Sequence, residues 1–368
     1  MLGLVSAAEG PSLLNFGQHT TSTLDQISAI FVFVSLGYLV GSFFSGRAYD
    51  RFPGHRLMAL SLVLAAAAAF FLPLITNLWL LLLCFFILGA AKGTIDVGCN
   101  TLLPWLHGAK VGPFMNGLHA FFGVGAFISP LILDRVRVAT GDIHWLFWIS
   151  ALICLPLAIW LWFLPSPSSA AHKANADENA AFPLLPVIIL VTLFVLYVGL
   201  ELGFGNWVYT YALTLNLANE SSAAQLNSAF WGAFTIGRLL GILTAARMRS
   251  QTILFMDLAG CIISTAVVLL WRDSVLALWV GTIGLGLFMA SIFATILMLA
   301  SERIHVTGAI TGLFLVGSAL GSALLPYFIG QVFVQVGPQA MPVIVLVDIF
   351  AFLAVLLFFI TQRVGLAK

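Results

Sequence analysis

Residues 89–100 read GAAKGTIDVGCN, and Lys92, Asp96 and Asn100 recur in them every four positions. On a helix that spacing stacks an amine, a carboxylate and an amide along one face. The carboxylate can accept a proton or a sodium ion, the ammonium can tune or neutralise it, and the amide can hydrogen-bond a polar solute. The stretch around them is apolar from Leu78 to Leu103. An ionised side chain at the centre of a bilayer costs about 2.5–3.5 kcal/mol on insertion scales, so such groups face a cavity or a partner. Two readings follow: Asp96 as a cation acceptor tuned by Lys92, or Lys92 and Asp96 as a self-satisfying structural pair.

Other polar groups stand in apolar runs. Glu201 precedes Gly203, Gly205, Asn206 and Trp207. The two glycines loosen a helix so that its backbone can line a cavity. Asn206 and Trp207 offer a hydrogen-bonding group and an aromatic face to a sugar-like solute. Tyr209 and Tyr211 read as an aromatic belt at the membrane boundary. Asn116, His119 and Gly123 share one face of a further run, where His119 serves as a titrating group or as a neutral helix contact. Asn227, Trp231 and Thr235 form a stripe that can complete a pocket. Arg238, beyond that stripe, needs an anion, for which Asp348 or a loop carboxylate is the reading. Asp257 reads as reaching water at the end of its run.

The elements that carry these residues follow from composition. Of 368 residues 61% are hydrophobic and 8% charged, too few charges to cover the surface of a soluble chain of this length. A net charge of +1 excludes a nucleic-acid binder, which needs a basic face. Cys84, Cys99, Cys154 and Cys261 all lie in apolar runs with no CxxC or Cys/His cluster, so neither a disulfide nor a metal site is expected. The chain has no GxxxxGK[ST] for ATP and no HExxH or nucleophile–base pairing for an intramembrane enzyme.

Apolar stretches long enough to cross about 30 Å of hydrocarbon fall at 27–46, 57–75, 78–103, 113–133, 143–164, 183–208, 222–246, 252–270, 275–300, 307–331 and 340–361. A stub at 1–14 is too short to cross and reads as the second half of a first helix, giving twelve spans with the first incomplete. The polar, Ser/Ala/Asn/Pro-rich segment 165–182 reads as a flexible cytoplasmic linker between six-helix halves at 1–164 and 183–368. Ten loop Lys and Arg on one side against three on the other place the C-terminus in the cytoplasm. The halves echo each other: SLGYLVG (35–41) against TIGRLLG (235–241), and GAFISP (125–130) against GSALLP (321–326). In this alignment Lys92 and Asp96 fall opposite Met289 and Phe293, so the ionisable pair belongs to the first half alone.

The loop GRAYDRFPGHR (46–56) resembles the Gly-x-x-x-Asp-Arg-x-Gly-Arg-Arg signature of the major facilitator superfamily, with one residue inserted and His55 in a basic position. With GAAKGTIDVGCN, GLHAFFGVGAFISP (117–130) and GLELGFGNWVYTY (199–211), the chain is similar to the branch holding the fucose permeases and the sodium-dependent glucose transporters. The resemblance implies an all-α integral membrane fold of two six-helix bundles with a solute site where the halves meet. It implies a cytoplasmic charge relay at Asp50 and Arg51, framed by Gly46, Gly54 and Arg56. It also implies an acidic residue in the first helix, which falls on Glu9, beside the one in the fourth, Asp96. Two carboxylates near one cavity repel, which favours cation uptake. The expectation is a monomeric multi-pass transporter of the cell membrane, carrying a monosaccharide by symport with a proton or sodium and needing no other cofactor. A proton-coupled exporter of drugs or other lipophiles is the alternative.

Overall fold

A computed structural model describes residues 1–167 and 183–361, so most of the expected linker and the last seven residues lie outside the described residues. The chain divides into two compact units, Met1–Asn175 and Ala176–Lys368. Every regular element among the described residues is helical. In the first unit these are α1 (Leu2–Ala8), α2 (Leu13–His19), α3 (Leu24–Ile27), α4 (Ala29–Arg51), α5 (Gly54–Phe71), α6 (Leu78–His107), α7 (Gly112–Thr140) and α8 (His144–Phe163). In the second they are α9 (Leu184–Thr214), α10 (Glu220–Ala245), α11 (Ser250–Leu270), α12 (Val275–Met289), α13 (Ile292–Arg303), α14 (Gly308–Val336) and α15 (Ala340–Thr361). Eleven helical stretches are long and apolar enough to cross a membrane among the described residues, α3–α4 and α12–α13 each counting as one.

The eleven stretches coincide with the hydropathy reading. Their boundaries follow local chemistry. Asn77 accepts from the Leu80 N–H at 3.1 Å and Asn219 from the Ser222 N–H at 2.8 Å, so each starts its helix with a side-chain cap. Gly141, at φ +76°, ends α7 in the left-handed conformation that glycine adopts without strain.

The N-terminal stub is helical, in keeping with the half-helix reading, but broken in the middle. It forms two short helices, α1 and α2, separated by a turn at Glu9-Gly10-Pro11-Ser12. Pro11 has no N–H to offer the Ala7 carbonyl, and its ring opposes a continuous helix, so the break is written in the sequence. Glu9 sits at the break.

Each unit repeats the same pairing. In the first, α4 packs on α6, α1 on α7 and α5 on α8; in the second, α10 packs on α12, α9 on α14 and α11 on α15. The closest pairings run through small residues. A Cβ on Gly37 or Gly41 would strike the carbonyl of Phe86 or Ala90 in α6, and one on Gly89 or Gly93 would strike that of Val34 or Tyr38 in α4. In the second unit, Gly237 lies against the Leu287 carbonyl and Gly286 against that of Phe230. Gly3 meets Phe122 in α7, and Gly321 meets Val195 in α9. The clusters 37/41 and 317/321 are therefore helix crossings, the close approach that glycine permits inside a bilayer.

Candidate cation-coupling site

The α4–α6 crossing brings the polar face of α6 against a partner. With glycine at 89 and 93 the two backbones come close enough for the Tyr38 hydroxyl to donate to Asp96 Oδ2 at 2.5 Å. Asn100, one turn on, donates its Nδ2 to Asp96 Oδ1 at 3.2 Å and to the Asp96 carbonyl at 2.9 Å. Asp96 is half-buried, Asn100 is exposed, and Asp96 makes no ion pair among the described residues. The carboxylate is thus held by two neutral donors, and its charge has no fixed counter-ion.

Lys92 corrects the expectation made from spacing. It does not turn along its own helix to Asp96. Its Nζ lies 2.7 Å from Glu9 Oε1, with both side chains about nine-tenths buried. A lysine stem spans several ångströms, and in low-dielectric surroundings it goes to the carboxylate that has the fewer other partners. Glu9, at the end of α1, has no hydrogen-bond donor except Lys92 among the described residues, whereas Asp96 has Tyr38 and Asn100. The sequence-predicted trio of Glu9, Lys92 and Asp96 is brought together in one unit, as an ion pair beside a carboxylate that makes no ion pair among the described residues. Asn100, expected to bind solute, is the clamp of Asp96. Tyr38 was missed; its alignment with Arg238 across the two halves was the available signal.

In the second unit the repeat position of Tyr38 is Arg238. Its guanidinium lies 4.5 Å from the centre of the Phe234 ring and interacts electrostatically with the buried Glu201 and with Tyr197 one turn before it. Glu201 is therefore a carboxylate whose charge Arg238 feels, where Asp348 or a loop carboxylate was the expectation, and Arg238 makes no ion pair among the described residues. The Asp348 Oδ2 is buried without a hydrogen-bond partner among the described residues. Asp257 does not reach water: it is buried and accepts a hydrogen bond from the Ser291 hydroxyl, at the break between α12 and α13.

Asn227 and Trp231 do converge on the loosened part of α9. Asn227 donates to the Gly205 carbonyl at 2.5 Å, and the Phe230 and Trp231 rings pack so close that a Cβ on Gly205 would crowd them. Asn227 Oδ1 and Trp231 Nε1 are buried with no partner among the described residues. Such orphaned groups are unusual in folded proteins. Asn206, next in sequence to Gly205, is buried as well. Trp207 departs from the pocket reading: it is fully buried and its Nε1 donates to the Pro326 carbonyl at 2.9 Å, tying α9 to α14. Tyr209 and Tyr211 are buried as well, with the Tyr211 hydroxyl donating to Gln339 at 3.2 Å, so they form no lipid-facing belt.

His119 lies exposed on α7, and the Asn116 side chain lies outside the described residues. Around the turn after α4, Asp50, Arg51 and Arg56 are exposed, and neither Asp50 nor Arg51 makes an ion pair among the described residues. Gly46 has open space around it, while Gly54 is packed against Leu102. Arg56 lies 5.8 Å from the Trp162 ring centre.

The fold and these groups can be set beside known proteins. The pattern described as Major Facilitator Superfamily matches residues 2–326, most of the chain. The chain belongs to the Major Facilitator Superfamily. This facilitator is similar to Sodium-dependent glucose transporter 1 of Xenopus laevis, 29% identical over 354 residues, covering 88% of this chain and 72% of the relative. It is also similar to Sodium-dependent glucose transporter 1A of Mus musculus, 28% identical over 366 residues, covering 89% and 86% of the two chains. Among solved structures, the nucleoside transporter NupG (D323A mutant) aligns with a TM-score of 0.74 over 98% of both chains at 16% identity, a likeness of fold. The facilitator is therefore a multi-pass membrane transporter of a small molecule rather than an enzyme.

Proposed function

We propose that this facilitator is a symporter that couples a cation, sodium or proton, to a monosaccharide-class polar solute. The observation that carries the coupling is Asp96: an acid within a membrane span, held by Tyr38 and Asn100 and lacking a basic partner. A cation arriving there supplies the missing counter-charge and competes with the Tyr38 hydroxyl for Oδ2. Glu9 cannot take that part as readily, because Lys92 already neutralises it; the pair instead fixes the α1–α2 break to α6. Solute recognition falls to the orphaned acceptor and donor on Asn227 and Trp231, beside Asn206 and with Glu201 nearby on α9. Hydroxyl groups of a sugar can satisfy both, and an aromatic indole suits the CH face of a pyranose. The sugar class is favoured by the relatives' description as sodium-dependent glucose transporters. Alternating access between cytoplasmic and outer faces, with the C-terminus and the Asp50–Arg51 loop cytoplasmic, completes the reading.

The test is uptake of labelled glucose, galactose and fucose into proteoliposomes under a sodium gradient, a proton gradient or none, with unlabelled nucleosides as competitors. The proposal expects accumulation of at least one hexose under one gradient, unaffected by nucleosides. Accumulation of none of the sugars under either gradient overturns it.

A further inference from the structure

A second cluster of ionisable groups lies in the first unit, away from Asp96. His19 ends α2, Asp142 sits in the turn between α7 and α8, and His144 is the first residue of α8. One ligand atom from each lies within 4.8 Å of the others, and all three residues are half-buried. The two imidazoles meet edge-on with centres 5.4 Å apart.

The turn that holds two of the three is well built. Gly141 releases the chain from α7, Thr140 Oγ1 donates to the Asp142 carbonyl at 3.1 Å, and Asp142 Oδ1 accepts the His144 N–H at 2.9 Å. The other oxygen, Oδ2, lies 2.7 Å from His144 Nδ1. Capping α8 and orienting His144 would account for Asp142 alone. It accounts neither for His19 brought against the same imidazole nor for His144 Nε2, which is buried with no hydrogen-bond partner among the described residues. An imidazole with an unfilled nitrogen, a second imidazole and a carboxylate make the donor set of a zinc-class ion, which commonly takes three protein ligands and a water. Bonds of 2.0–2.2 Å in a tetrahedron put ligand atoms about 3.3 Å apart, so contraction of at most about 1.5 Å closes the cluster.

We propose that His19, Asp142 and His144 form a binding site for a zinc-class divalent ion that fastens α2 to the α7–α8 turn. Ligation takes both imidazoles in their neutral form and Asp142 as the carboxylate, as metal binding to such ligands does. It holds in place the segment immediately after the break that carries Glu9, which makes the site a means by which a divalent ion stiffens the first helix.

The test uses the full chain in detergent micelles, freed of metal, and reads zinc binding by calorimetry together with the thermal unfolding temperature. The expected result is one zinc per chain, a rise in unfolding temperature, and affinity at least tenfold weaker in both His19→Gln and His144→Gln. A control substitution, His305→Ala, lies outside the cluster and leaves binding unchanged. Absence of zinc binding, or binding that both cluster substitutions leave within twofold, overturns the proposal. If a variant fails to fold, Co²⁺ on the wild type decides: intense visible bands of four-coordinate nitrogen and oxygen ligation support the site, and a pale six-coordinate spectrum or none contradicts it.

Discussion

At the scale of single residues, two acids in one unit do different work because their partners differ. Glu9 is matched by Lys92 at 2.7 Å, and Asp96 is held by Tyr38 at 2.5 Å with no fixed positive charge. Removing one member of a buried ion pair strands the other and costs about 3–5 kcal/mol, whereas replacing both with neutral groups is close to neutral. Lys92→Met should therefore lower the unfolding temperature in detergent sharply. Glu9→Gln combined with Lys92→Met should recover most of the loss. A double variant no more stable than Lys92→Met would contradict the pairing. The Lys92–Asp96 reading from spacing was physically sound on an isolated helix, where residues four apart are neighbours. It failed because the competing partner lies 83 residues away in the sequence, beyond any local pattern. A longer separation in sequence hid His19 from Asp142 and His144, where only the short Asp-x-His spacing of the last two was visible. Arg238 shows the converse: the need for a nearby anion was legible, and that Glu201 is one was decided by helix packing.

At the scale of elements, glycine placement explains why the site exists. Hydropathy alone located the spans, and the glycines at 37, 41, 317 and 321 marked the crossings, because both signals are carried by composition at fixed spacing. The break at Glu9–Ser12 was also written in the sequence, in Pro11, though a stub of helix was the expectation. The α4–α6 crossing fixes the reach of Tyr38 to Asp96. Gly89→Ala would place a methyl group on the Val34 carbonyl, so the helices must separate. Overpacking of this kind typically costs about 1–3 kcal/mol. Gly117→Ala meets open space inside α7 and should leave stability unchanged or slightly raised. The account predicts less folded protein and weaker gradient-driven uptake for Gly89→Ala, read by size-exclusion profile and transport. Equal behaviour of the two variants would contradict a role for the crossing in stability and coupling.

At the scale of the whole molecule, the repeat is the organising feature: the same helix pairings recur in both units, while the chemistry diverges between them. The first unit keeps Lys92 and Asp96, where the second has Met289 and Phe293. The second keeps orphaned hydrogen-bonding groups at Asn227 and Trp231. Under the proposed function, cation coupling rests on the first half's Asp96 and polar recognition on the second half's Asn227 and Trp231. This division also separates coupling from translocation: neutralising Asp96 should leave the carrier able to exchange solute while unable to concentrate it.

The most direct measurement compares wild type and Asp96→Asn in proteoliposomes in two modes, accumulation driven by a sodium or proton gradient and counterflow of labelled against unlabelled sugar with no gradient. Asp96→Asn is expected to abolish accumulation and retain counterflow. Gradient-driven accumulation by Asp96→Asn at the wild-type level would contradict the proposal that this carboxylate couples the cation to the solute.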